Sequence, residues 1–276
     1  MQRNLAAIAS IVVTAAWLVG CASVPGVPAD TTDTAQRTLA LLPADAILLG
    51  EQHDAPDHQR IHREAVAALA AQGQLAALVL EMAEQGHNTA ALPRDASAAD
   101  VQAALAWNDA GWPWAAYGPA ILEAVHAGVP VLGANLPRAQ MRDAMANARL
   151  DGALPGPALK AQQQAIRLGH CGLLPESQIR PMTRIQIARD QAMAQTLQAA
   201  AVPGKTVLLL AGAGHVDDSL GIPQYLPENF KSKTVLLQVA PAQSAPKNIV
   251  NFDSTWVTPS IPPTDYCADL KGKMPG

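Results

Sequence analysis

Five short apolar runs constrain this chain more than any other feature. They lie at 46–50 (AILLG), 77–82 (ALVLEM), 130–134 (PVLGA), 206–211 (TVLLLA) and 234–240 (TVLLQVA). None alternates apolar with polar residues, so none reads as a strand with one wet face. Continuous apolar runs bounded by turns fit strands covered on both faces, the pattern of a parallel sheet. Between the runs, apolar residues recur at helical spacing. The stretch 56–71 carries Ile61, Ala65, Ala68 and Leu69; 119–127 carries Ile121, Leu122 and Val125; 181–200 carries Met182, Ile185, Met193 and Leu197. This alternation predicts an α/β domain, a mainly parallel sheet flanked by helices. The stretch 138–204 holds no strand and reads as a helical insertion between the third and fourth strands, a cap over the site. No internal repeat is visible.

Composition narrows the class. Apolar residues make up 49% and charged residues 15%, which excludes a disordered chain. Three cysteines are too few for a disulfide scaffold. The net charge is −4 with no basic run, so nothing here would displace counterions from a nucleic acid.

The N-terminus reads as a targeting segment. Arg3 precedes an apolar run from Leu5 to Val19, too short and poorly flanked for a stable span. It ends in Leu18-Val19-Gly20-Cys21, which resembles a bacterial lipobox. Residues 1–20 are then a lipoprotein signal peptide, Cys21 is the lipidated first residue, and 21–43 are anchor and tether. Ala22 favours the outer membrane in that sorting pattern. An ordinary secretory signal with a chance cysteine is the alternative. The functional domain is 44–276. In an oxidising envelope the remaining pair, Cys171 and Cys267, is expected to form a disulfide, two buried thiols being the alternative.

In open α/β sheets ligands bind at the carboxyl ends of the strands. The first strand is followed by Gly50-Glu51-Gln52-His53-Asp54, the second ends in Glu81-Met82, and the fourth runs into Gly212-Ala213-Gly214-His215. Asn135, Pro137 and Arg138 follow the third. Glu51, His53, Glu81 and His215 are therefore expected in one cleft. Two histidines with carboxylates either hold a divalent metal, with His53, His215 and Glu81 as ligands, or act as acid and base. His58 and His62 sit at i, i+4 without an HExxH pattern. His87, His126 and His170 read as structural or exposed. No G-x-S-x-G elbow is present, which argues against a serine hydrolase.

The stretch 107–117 (WNDAGWPWAAY) holds three of the five tryptophans and one of the three tyrosines. Such a loop-borne cluster beside Gly and Pro suits a flat apolar ligand. A local aromatic mini-core is the alternative.

GEQHDAPDHQ, the LEM strand end, W-x-x-Y-x-P, GANLPR, HCGLLPE, ARDQAMA and AGAGHVDDSLGIP occur in that order. Together they resemble the ChaN-like family of iron-regulated haem-binding lipoproteins, related to a superfamily of TIKI metalloproteases, TraB proteins and erythromycin-esterase-like enzymes. The resemblance runs from about 44 to 240, and the TDYCADL tail also fits. It implies haem binding, a role in iron or haem acquisition at the cell surface, haem sandwiched between subunits of a homodimer, and an outer-membrane haem receptor as a further partner. A tyrosine oxygen is the implied axial ligand, and Tyr117 occupies the matching segment. His53, His215 and His87 compete with it, and Trp112 and Trp114 would face the porphyrin. The enzymatic relatives point to Glu51, His53, Glu81 and His215, which keeps a metal-dependent hydrolase open as the second reading.

Overall fold

The computed structural model describes residues 31–240 and 251–273. The expected signal peptide and Cys21 lie outside these residues. The described chain forms β1 (Ala46–Glu51), β2 (Leu75–Glu84), β3 (Val131–Asn135), β4 (Thr206–Gly212), β5 (Ser232–Val239) and β6 (Ser254–Thr258). All are parallel, in the order β3-β2-β4-β1-β5-β6. The helices are α1 (Thr31–Leu39), α2 (Pro56–Ala71), α3 (Ala98–Ala104), α4 (Trp114–His126), α5 (Met141–Ala146), α6 (Gly156–Gly169), α7 (Glu176–Ala200), α8 (Ala213–Val216) and α9 (Tyr266–Lys273).

The sheet is buried on both faces, as the unbroken apolar runs require. Ile47, Leu49, Leu78, Leu80, Leu208 and Leu210 face α2 and α4. Ala46, Leu48, Val79, Leu209 and Ala211 face the C-terminal half of α7, through Met193, Ala194 and Leu197. Each fully buried leucine contributes about 1.5–3 kcal/mol relative to exposure. The expected insertion is helical as read. Only its first part stands apart from the sheet, around a small core of Leu136, Ala144, Leu150, Leu154 and Ile187.

Four elements differ from the sequence reading. β6 was not expected: its five residues, STWVT, carry one large apolar side chain, and Trp256 pairs beside Leu237 on the sheet edge. α4 and α7 begin before the prolines taken as their first residues, because Pro119 and Pro181 fall in the second turn. There each removes a single intrahelical bond. Finally, α1 occupies part of the expected tether and packs on α2, with Thr38 fully buried.

The disulfide between Cys171 and Cys267 is present, with Cα atoms 5.7 Å apart. It fastens α9 to the loop between α6 and α7. On the other side, the Tyr266 hydroxyl donates to Asp54 Oδ2 at 2.5 Å, in the turn after β1. α9 thus straps the helical insertion to the carboxyl edge of the sheet. The closed loop spans 96 residues. Replacing both cysteines by serine is expected to cost about 2–5 kcal/mol, measured as a lower denaturation midpoint without reductant. An unchanged midpoint would mean that the strap adds nothing.

Candidate functional site

The structure brings Glu51, His53, Glu81 and His215 to the carboxyl edge of β1, β2 and β4. Strand alternation splits them into two sets, one on each face of the sheet. Glu51 and Gly212 are register partners on β1 and β4. A Cβ at Gly212 would lie 2.9 Å from His53 Nε2 and 3.5 Å from Glu81 Oε2, so the two sets meet over this glycine.

The first set lies on the α2–α4 face. Glu51 is buried at the end of β1. His53 Nδ1–H donates to its Oε1 at 2.8 Å, and the Tyr117 hydroxyl donates to the same oxygen at 2.8 Å. Glu51 Oε2 faces His62 Nδ1 across 3.8 Å, and neither atom has a hydrogen-bond partner. Burial opposes ionisation of Glu51, but His62, His53 and Tyr117 outweigh it and its pKa is lowered. Burial also opposes the charged form of His53, yet the hydrogen bond to Glu51 and the nearby Glu81 raise its pKa. His58 is structural. Its Nδ1 accepts from Gln52 N–H and its Nε2–H meets Thr258 Oγ1, which ties the turn to β6. Burial and the neighbouring His62 push its pKa down to about 4.

The second set lies on the α7–α8 face. Glu81 Oε2 accepts from Gly212 N–H at 2.7 Å, and Oε1 lies 3.3 Å from His215 Nε2. His215 Nδ1–H donates to Asp190 Oδ1 at 2.5 Å. Burial disfavours a charged His215, but Glu81 and Asp190 reverse this and raise its pKa to about 10. Burial would raise Glu81; His215 overrides it and brings the group to about 2. Burial dominates at Asp190, which is pushed up to about 6. Asp190, inside α7, is the site residue the sequence reading missed. Its signal was the ARDQAMA motif, which sits on a helix rather than at a strand end.

This geometry corrects two expectations. The metal reading of His53, His215 and Glu81 finds no support, because the His215 ring is already engaged by Asp190 at Nδ1 and faces Glu81 at Nε2. Among the described residues no group of three or more His, Cys, Asp or Glu side chains is placed to hold a metal ion.

The second correction concerns the aromatic segment. Trp114 and Tyr117 lie on α4, not on a loop. Trp107 meets Trp114 edge-on at 5.2 Å, Trp112 meets Tyr117 at 5.9 Å, and Trp107 Nε1 donates to the Trp112 carbonyl. The cluster packs chiefly upon itself, as the mini-core alternative required. Trp112 also touches the edge of the His53 ring at 4.8 Å. Tyr117 is 1% exposed, and burial beside Glu51 pushes its pKa far up. Its hydroxyl is engaged by Glu51 rather than open to solvent.

The chain matches the family described as haem-binding uptake, Tiki superfamily, ChaN, over residues 38–226. It belongs to that family. The fold agrees: a solved structure of ChaN from Campylobacter jejuni, described by its cofacial haem binding, aligns with a TM-score of 0.65 and 26% identity. That alignment covers 79% of this chain and 89% of the Campylobacter one. The type III effector HopBA1 aligns at 16% identity over 82% of this chain and 93% of its own, but a TM-score of 0.43 is too low to support an argument. No curated protein matches.

Removing His215 leaves Glu81 and Asp190 buried without their shared cation. His215→Gln is expected to cost about 3–5 kcal/mol. The pH dependence follows from the direction of the shifts. A raised His215 pKa contributes stability that is full below its unfolded value of about 6.5 and is lost as pH climbs to about 10. The melting temperature should therefore fall between those limits, and fall less in His215→Gln. Parallel curves for parent and variant would contradict the charged assignment.

Proposed function

We propose that this chain is a lipid-anchored haem-binding protein of the bacterial envelope, acting in haem or iron acquisition. Family membership over residues 38–226 is the observation that carries the haem-binding part. The LVGC sequence ending at Cys21 supports the anchor, and Ala22 supports the outer membrane. Haem in such a protein is cargo, and its iron is what the uptake route delivers.

The chain offers an imidazole suited to that iron. His170 caps the C-terminus of α6, in the loop between α6 and α7. Its Nδ1–H donates to the Ile166 carbonyl at 2.8 Å, which fixes the tautomer and leaves Nε2 as the donor atom for a metal. Leu168 beside it is 69% exposed, and nothing lies within 4 Å of a Cβ built at Gly169 or Gly172. An exposed leucine beside a fixed imidazole suits the face of a porphyrin, and the nearby Arg167 is paired with Glu176. The disulfide at Cys171 holds the loop in place. The sequence reading set His170 aside as structural or exposed, although it lies in the HCGLLPE motif. Two copies of such a chain could bring haems face to face, the cofacial arrangement named for the Campylobacter protein. This supports a homodimer, with an outer-membrane haem receptor as the partner that receives or delivers haem. His53 is the second candidate, since its ring is partly exposed and Nδ1 is held by Glu51.

Haemin titration followed by the Soret band tests this reading. Tyr117→Phe should bind haemin with the parent's spectrum. His170→Ala should shift the band and weaken binding about tenfold or more, each decade being about 1.4 kcal/mol. A parental spectrum and affinity in His170→Ala would remove it as the ligand; failure of the parent to bind haemin would remove the function. For the anchor, Cys21→Ser should release the protein from the membrane fraction. Unchanged fractionation would contradict lipidation.

A further inference from the structure

A cavity lies at the carboxyl edge of the sheet. It opens where β2 and β3 end, between the loop preceding α4 and the N-terminal half of α7, and encloses about 420 Å³. That is within the range of small-molecule sites, about 300–1,000 Å³. Trp112, Leu136 and Met141 form apolar wall, and Asn135, Arg138 and Arg189 supply polar groups. Two of those groups are incomplete. Arg189 Nε and Asn135 Oδ1 are buried without a hydrogen-bond partner. A buried unmade hydrogen bond costs about 1–3 kcal/mol, and more for a charged group.

The cavity's own carboxylates do not answer Arg189. Glu81 is bonded by Gly212 N–H and faced by His215. Glu84 accepts from the backbone N–H of Arg138. What remains is a guanidinium edge lacking an acceptor, an exposed second arginine, and an amide oxygen lacking a donor.

We propose that this cavity binds a small hydroxycarboxylate, independently of the haem site. The planar guanidinium of Arg189, with Arg138 at the mouth, takes the carboxylate through paired N–H···O bonds. Asn135 Oδ1 accepts from the ligand hydroxyl, and Trp112 covers its apolar side. A porphyrin propionate offers the same carboxylate without a hydroxyl donor, so it would leave Asn135 unanswered.

Calorimetric titration of the full chain in detergent tests the proposal with two probes. Citrate carries the hydroxyl; tricarballylate is the same tricarboxylate without it. Citrate is expected to bind, and tricarballylate to bind more weakly. Arg189→Gln should weaken citrate about tenfold or more, and Arg138→Gln, at an exposed position, should weaken it in a chain whose fold is unaffected. Absence of binding by both acids, equal binding of the two, or parental affinity in Arg138→Gln would overturn the proposal. Haemin added first separates the sources. Undiminished citrate binding supports an independent site. Citrate excluded by haemin but not by haemin dimethyl ester would assign the arginines to propionates and overturn it.

Discussion

The carboxyl edge of the sheet depends on one buried cation. His215 is held between Glu81 on β2 and Asp190 on α7, and it belongs to the short helix that leaves β4. Three elements distant in sequence are thereby joined through one imidazolium. Burying three ionisable groups is expensive, and their mutual attraction repays it only when the hydrogen bonds are good. Here His215 Nδ1–H donates to Asp190 and its Nε2 lies 3.3 Å from Glu81, while Glu81 also takes the Gly212 N–H. The ends of β2, β4 and α7 are fixed relative to one another. That fixes the wall on which Arg189, next to Asp190 in sequence, and the β2 residues of the cavity stand.

Much of this fold is legible in the chain because parallel strands need apolar residues on both faces, and five of the six strands show it. The sixth, β6, pairs on one side only and buries just Trp256 and Thr258, one of them polar, so it left too little apolar signal. Helix starts were misplaced at Pro119 and Pro181 because proline favours a first turn without excluding a second. The site was half legible. Strand-end positions exposed Glu51, His53, Glu81 and His215, since topology alone gathers them. Asp190 was invisible to that rule because a helix delivers it. The role of His215 was misread for a related reason: a histidine between two carboxylates is a cation, and its second carboxylate was not in view. Aromatic clustering was equally ambiguous, because Trp107, Trp114 and Tyr117 satisfy each other as readily as they would satisfy a ligand.

Two functional regions emerge, joined by the strap. His170, the proposed haem ligand, lies in the loop between α6 and α7, while the polar cavity sits at the sheet edge. α9 touches both sides, with Cys267 bonded to Cys171 next to His170 and Tyr266 bonded to Asp54 next to His53. Family membership speaks to haem. The proposed second ligand would answer the two orphaned polar atoms of the cavity, Arg189 Nε and Asn135 Oδ1.

The charge on His215 can be read directly. In an NMR titration of imidazole-labelled protein, both ring nitrogens of His215 should show the imidazolium signature at neutral pH, with a transition near pH 10. A neutral ring, or a transition at or below the ordinary histidine value of about 6.5, would contradict the account of how this edge is built.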